Sequence, residues 1–116
     1  MVRPAVLIRF GATLAAALTA LAVHALADDP KVFEVTLKGN AMEPAEIHVP
    51  KDTPFVIKFT NANDAPAELE AKELKIEKVA AGKSDIVVRV KAMPAGKYLF
   101  VDEYQEDVAK GYVIAE

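Results

Sequence analysis

Short stretches that alternate apolar and polar residues recur along most of this chain. The clearest one places a large apolar residue at every second position, Phe55, Ile57 and Phe59. Such alternation predicts half-buried β-strands, because successive side chains of a strand point to opposite faces. Similar alternation marks residues 32–38, 46–49, 86–90, 98–101 and 112–114. About seven short strands separated by turns, with no long amphipathic helix between them, predict an all-β sandwich or barrel.

The stretch from residue 69 to residue 79 fits two structures. Leu74, Ile76 and Val79 suit a short strand, whereas the Glu-Ala-Lys-Glu-Leu sequence at 70–74 favours a helical turn. The sequence contains no internal repeat, no linker and no Gly-rich phosphate-binding loop. We therefore predict one folded domain.

The first 27 residues have the composition of a secretory signal peptide. Arg3 and Arg9 provide positive charge, residues 10–22 are apolar, and residues 25–27 read Ala-Leu-Ala, a small-x-small cleavage motif. We predict a signal peptide at 1–27, a mature domain at 28–116 and a periplasmic location, with no membrane span after cleavage. The alternative is an uncleaved anchor, for which the apolar run is barely long enough, since a spanning helix needs about 20 residues.

The composition of the mature domain excludes several classes of function. Without the two arginines of the leader, the domain has 12 basic and 17 acidic residues, which gives a formal charge of −5. This negative charge argues against a nucleic-acid partner. The chain has no cysteine, which rules out disulfides, thiolate catalysis and thiolate metal ligands. His48 is the single histidine of residues 28–116, so hydrolase triads built on histidine find little support.

An acidic loop separates the last two predicted strands. It contains four carboxylates, Asp102, Glu103, Glu106 and Asp107. A loop of this kind is either a hydrated connection or a cation site.

Three segments resemble the cupredoxins. They are residues 61–70, the run Met93-Pro-Ala-Gly-Lys-Tyr-Leu-Phe100 and the run Ala109-Lys-Gly-Tyr-Val-Ile114. The resemblance extends over the predicted mature domain and is strongest to small periplasmic cupredoxin-like proteins of bacterial ferrous-iron uptake, with residues 67–79 as the most subgroup-specific part. It implies a cupredoxin-like Greek-key β-sandwich. It also implies a metal-binding accessory role in iron or copper acquisition, with an iron permease or another periplasmic iron-uptake component as partner.

The copper ligands of the family do not carry over. A blue-copper site resembling that of plastocyanin takes one His from the loop after the central strand, and Cys, His and Met from the loop before the last strand. By resemblance these positions hold Glu68, Asp102, Gln105 and, near the Met position, Lys110. None of the four provides the thiolate or imidazole that such a site requires, so a blue-copper site is not expected.

Carboxylates at two of those positions suggest a different cation site. The resemblance brings Glu68 and Asp102 to one end of the sandwich, where two carboxylates repel unless a cation or a proton joins them. Oxygen ligands suit iron, manganese or calcium and also hold Cu(II). We predict Glu68 and Asp102 as the main ligands of an iron or copper ion, Glu103 as the next, and Met42 or His48 as outer candidates. The alternative is ordinary surface charge.

Two functions remain open at this point. The first is metal-binding assistance to iron uptake, at most as a ferrous-iron oxidase that acts with partners, because hard carboxylates favour ferric iron. The second is a metal-free interaction module that docks a permease or another periplasmic protein through the acidic loop. The Glu68–Asp102 coincidence favours the first function, and the loss of all four blue-copper ligands favours the second.

Overall fold

The structure is a computed structural model that describes residues 2–5 and 29–116. The predicted signal peptide at 1–27 lies almost entirely outside the described residues, so its cleavage stays a prediction. Within the described ranges, no helix is long and apolar enough to span a bilayer.

Residues 29–116 form nine strands in two sheets, which confirms the all-β prediction. In chain order the strands are β1 (Lys31–Lys38), β2 (Ala41–Glu43), β3 (Glu46–Val49), β4 (Phe55–Asn61), β5 (Ala67–Ala71), β6 (Ile76–Ala80), β7 (Ser84–Val90), β8 (Gly96–Asp102) and β9 (Lys110–Ala115). A four-stranded sheet has the order β2-β1-β4-β7, and a five-stranded sheet has the order β3-β9-β8-β5-β6. Two 3₁₀ turns, Lys72–Leu74 and Glu103–Gln105, follow β5 and β8.

The ambiguous stretch contains both of the structures that its sequence suggested. The 3₁₀ turn Lys72–Leu74 buries Leu74 and is followed by Lys75 in the left-handed region, with a φ of 56°. That conformation reverses the chain, so that β5 and β6 form an antiparallel hairpin. This division and the short strand β2 account for the two strands beyond the seven predicted.

The alternating residues build the core between the two sheets. Phe55, Ile57 and Phe59 are each at most 2% exposed, and Phe100 of β8 is equally buried. Burying such a side chain contributes about 1.5–3 kcal/mol. The residues between them, such as Lys58 of β4 and Leu99 of β8, point away from the core. The outer face of the five-stranded sheet is therefore available to carry functional side chains.

Four connections meet at one end of the sandwich, which we call the loop end: the β1–β2 turn (39–40), the β4–β5 loop (62–66), the β6–β7 turn (81–83) and the β8–β9 loop (103–109). The register of the five-stranded sheet explains their proximity, because Leu69 near the start of β5 pairs with Asp102 at the end of β8. The backbone amide of Ala62 also donates to the Leu37 carbonyl at 2.9 Å. The sheet pairing therefore brings the acidic loop next to Glu68.

Candidate metal centre

Strand alternation places the acidic side chains of β5 on the outer face of the five-stranded sheet. Ala67 and Leu69 are buried against the core, so Glu68 and Glu70 project from the opposite face. Across the β5–β6 hairpin, Glu70 pairs directly with Glu77. Like charges at opposing positions of two strands are destabilising, so this pairing costs stability.

The 3₁₀ turn after β8 brings Glu103 to the same carboxylates. One carboxylate oxygen each of Glu68, Glu77 and Glu103 lies within 4.8 Å of the others, and we call these three residues the outer cluster. Glu68 is half-buried, whereas Glu77 and Glu103 are exposed. Three oxygen donors at this separation fit the ligand type of a hard cation, although an acidic cluster also occurs without one.

The outer cluster perturbs its own protonation. Hydrogen bonding with Glu70, and then with Glu68, raises the pKa of Glu103 from 4.5 to about 7, and the negative charges of both neighbours act in the same direction. The pKa of Glu77 is also raised, first by hydrogen bonding with Glu68. Desolvation followed by the charge of Glu68 raises the pKa of Tyr104. At neutral pH the cluster therefore holds excess negative charge that a proton or a cation offsets.

Asp102 lies beside the outer cluster but points into the protein, where it is 2% exposed. Its Oδ1 accepts hydrogen bonds from the backbone amides of Glu68 at 3.0 Å and Tyr104 at 3.2 Å. Its Oδ2 accepts a hydrogen bond from Nε2 of Gln105 at 3.0 Å. The structure thus joins Asp102 to Glu68 through a backbone amide, and Asp102 also caps the turn that carries Glu103.

The two remaining predicted ligands, Met42 and His48, do not belong to the outer cluster. Met42 is 4% exposed and packs within the core. His48 is exposed, with Nδ1 at 2.7 Å from Glu116 and Nε2 at 3.7 Å from Glu46. His48 pairs with Ile114 of β9, which in turn pairs with Lys97 of β8. Lys97 precedes Asp102 by five residues along β8, a separation of roughly 16 Å at the rise of a strand. The structure therefore brings together Glu68, Asp102 and Glu103, but not the other two.

Glu77 and Glu70 are the members of this site that the sequence reasoning missed. Both lie in the stretch that fitted either a strand or a helical turn. A hairpin with its turn at 72–75 pairs Glu70 with Glu77, so the signal was a carboxylate on each side of a short turn. Unless the hairpin is recognised, the sequence does not show that Glu70 and Glu77 lie opposite each other.

A groove with a volume of about 340 Å³ opens beside the outer cluster on the same face. Leu99, which is 41% exposed, and Val101 form its apolar floor. Its walls are charged and mostly acidic: Glu70, Lys72, Glu73, Glu106, Asp107 and Lys110. The groove has the size and mixed character of a contact site for a side chain or a short segment of another molecule.

Comparison with known proteins identifies the fold family. A family model described as a cupredoxin-like domain matches residues 11–115. An uncharacterized protein of Rickettsia prowazekii (strain Madrid E) is 28% identical over 81 residues, covering 70% of this chain but only 65% of that relative, less than two thirds of its length.

Two solved structures show the same architecture. The metal-binding domain of a Cu(I)-exporting P-type ATPase from Streptococcus pneumoniae D39, determined with Cu(I), aligns with a TM-score of 0.66 and 20% identity over 73% of this chain and 84% of that chain. Auracyanin A, a blue copper protein from Chloroflexus aurantiacus, aligns with a TM-score of 0.63 and 16% identity over 76% of this chain and 100% of that chain. At such identities these similarities establish the fold alone.

The residues at the loop end do not fit a blue-copper ion. The chain lacks the cysteine whose thiolate defines that site. Asp102, at the resembling position, already accepts three hydrogen bonds. Gln105, where a histidine would be required, donates through Nε2 to the Gly39 carbonyl and to Asp102, both at 3.0 Å. Any metal that this protein binds therefore needs a different set of donors.

Proposed function

This chain belongs to the cupredoxin-like domain family, and from that premise we propose that it is a metal-binding accessory protein that holds a hard cation with carboxylates. The observation that carries the proposal is the outer cluster, in which oxygens of Glu68, Glu77 and Glu103 lie within 4.8 Å of one another. The raised pKa of Glu103, about 7, supports it, because the same negative field that retains a proton attracts a cation.

The chemistry of the donors favours a hard cation over the thiolate-bound copper of a blue-copper site. Carboxylate oxygens are hard ligands that suit Fe(III), Mn(II) and Ca(II), and they also hold Cu(II). The site offers no thiolate or thioether, since the chain has no cysteine and Met42 is buried in the core. Among the ions that suit carboxylates, we propose iron because of the resemblance to cupredoxin-like proteins of iron uptake, with Cu(II) as the competitor.

The proposed setting is the acquisition of ferrous iron in the periplasm. It rests on the resemblance of residues 67–79 to cupredoxin-like proteins of iron uptake, and on the predicted signal peptide. An iron permease or another periplasmic iron-uptake component is the proposed partner. Carboxylates favour Fe(III) over Fe(II), so a ferrous-oxidase role would pass one electron per iron to an acceptor on a partner protein. Rates of Fe(II) oxidation by an added one-electron acceptor that do not change when the protein is included would rule out that role.

A metal titration tests the proposal. The purified protein is titrated with Fe(II) without oxygen, and with Fe(III), Cu(II), Mn(II) and Ca(II), by calorimetry and by thermal shift. We expect micromolar binding of iron, equivalent to about 8 kcal/mol, and its loss in Glu68→Gln/Glu103→Gln. The control variant Glu34→Gln/Glu43→Gln removes two exposed carboxylates of the other sheet and is expected to bind like the wild type. Absence of binding, or equal binding by both double variants, would contradict the proposal.

The groove favours a second candidate function, a metal-free module that docks a permease or another periplasmic protein. Its apolar floor and its four acidic wall residues offer a partner both hydrophobic contact and attraction for basic groups. A pull-down separates the two functions. Retention of a partner by Glu68→Gln/Glu103→Gln, with loss in Leu99→Ser/Glu106→Lys, would support docking; the reverse pattern would support the metal site.

A further inference from the structure

The loop end is held together by side chains that reach between its connections. Asn63 Oδ1 accepts from the Gly39 amide at 2.7 Å, and Asn63 Nδ2 donates to the Gly39 carbonyl at 2.8 Å. Gln105 Nε2 donates to the same carbonyl and to Asp102. Asp102 in turn accepts from the Glu68 amide at the start of β5. The β1–β2 turn, the β4–β5 loop, β5 and the β8–β9 loop are thus linked in one hydrogen-bonded chain.

A buried amide anchors the same region from below. Asn61 at the end of β4 is fully buried. Its Nδ2 lies 2.8 Å from the Ala65 carbonyl, and its Oδ1 accepts from the Asn63 amide at 3.0 Å. Among the described residues, no buried side-chain nitrogen or oxygen lacks a hydrogen-bond partner. The polar groups at this end are therefore satisfied by the protein itself.

We infer that Asp102, Gln105, Asn63 and Asn61 form a latch that closes the loop end without a metal ion. By the family resemblance, a blue-copper ion would join the loop before the last strand to the segment that carries Glu68. In this chain, Asp102 makes that connection by accepting a hydrogen bond from the Glu68 amide, and Gln105 ties the same loop to the β1–β2 turn through the Gly39 carbonyl. The chain therefore keeps the cupredoxin fold without the copper ligands, because hydrogen bonds made by the residues at the ligand positions hold the loops in place of a metal.

The latch inference does not depend on the proposed metal site, because it concerns the metal-free protein. After treatment with a chelator, the backbone amides of Glu68 and Tyr104 should be protected from hydrogen exchange, since both donate to the buried Asp102. Asp102→Ala should make exchange of these two amides at least tenfold faster and lower Tm by at least about 5 °C. Asp102→Asn, which keeps one acceptor oxygen, should have a smaller effect.

Two further variants keep the test decisive if Asp102→Ala fails to fold. Gln105→Ala removes the contacts to Gly39 and Asp102 from a half-buried position and should lower Tm by a smaller amount. Glu106→Ala, an exposed residue of the same loop, should leave Tm unchanged. Fast exchange of the Glu68 and Tyr104 amides in the metal-free wild type would overturn the latch. So would a Tm of Gln105→Ala equal to that of Glu106→Ala.

A variant in which metal ligands replace two latch residues provides a positive test. Asp102→Cys/Gln105→His removes the latch contacts and supplies a thiolate and an imidazole, donors that suit Cu(I). We expect this variant to be less stable than the wild type without metal and to regain Tm when Cu(I) is added without oxygen, while the wild type does not respond at this end. A metal-free double variant as stable as the wild type would overturn the inference.

Discussion

The interior of the loop end and the outer face beside it use carboxylates in opposite ways. Asp102 is buried and accepts three hydrogen bonds from two backbone amides and one side-chain amide. Glu68, Glu77 and Glu103 lie a few ångströms apart, and each has another carboxylate as a near neighbour. A carboxylate surrounded by donors fixes a loop, whereas carboxylates that surround one another offer negative charge to a cation. The partners, rather than the residue type, separate the structural acid from the candidate ligands.

Loss of the buried acid should produce the largest effect on folding. Asp102→Ala leaves the Glu68 and Tyr104 amides and the Gln105 side chain without their acceptor, which we expect to cost about 2–4 kcal/mol of unfolding free energy. Urea unfolding measures the change. A loss below about 0.5 kcal/mol, as for an ordinary surface substitution, would show that the contrast between the two regions is unfounded.

Removal of two outer carboxylates should instead weaken cation binding without unfolding the protein. Glu68→Gln/Glu103→Gln removes two of three clustered charges while the backbone contact from the Glu68 amide to Asp102 persists. We expect at least a tenfold loss of iron affinity with an unchanged or slightly raised Tm, measured by calorimetry and thermal unfolding. A large drop in Tm would instead assign the outer cluster a structural role.

The outer cluster should also make stability depend on pH. The folded pKa of Glu103, about 7, exceeds its ordinary value of 4.5, so the folded state binds this proton more tightly than the unfolded state. The resulting stabilisation is complete below pH 4.5 and is lost as the pH rises towards 7. Denaturation midpoints between pH 4 and 8 should fall over this window in the wild type and fall less in Glu103→Gln. The raised pKa of Glu77 acts with the same sign.

The smallest effect is expected at His48. Its pairs with Glu46 and Glu116 are exposed, and exposed pairs contribute about 0–1 kcal/mol. His48→Ala should change the unfolding free energy by less than about 0.5 kcal/mol and leave iron affinity unchanged. A marked loss of metal binding in calorimetry would show that His48 is a ligand and would place the site at the far end of the sheet.

Much of the fold follows from local patterns in the sequence. The alternation of Phe55, Ile57 and Phe59 identifies β4 because burial on one face requires period two. The hairpin at 67–80 was not predictable in the same way, because a left-handed Lys75 and a buried Leu74 depend on packing against the rest of the sheet. Its carboxylate pair was therefore missed.

The role of Asp102 has a different origin. Resemblance to the family placed it near Glu68, and the structure does bring the two residues together. Its hydrogen-bond partners come from β5, the turn after β8 and Gln105, and no local pattern shows that these donors converge on one side chain. Whether Asp102 also ligates a metal stays a prediction, although its contacts favour a structural role.

The position of the bound cation is the most direct test of the central claim, that metal binding lies on the outer face and not in the interior of the loop end. Paramagnetic Mn(II), added in small amounts to isotope-labelled protein, broadens the amide signals nearest to it. We predict that the signals of residues 68, 77 and 103 broaden first and that those of Met42 and His48 persist. Broadening centred on Gly39, Asn63 and Gln105 would place the ion in the interior of the loop end and contradict the account. Broadening centred on His48 and Glu116, or no selective broadening, would also contradict it.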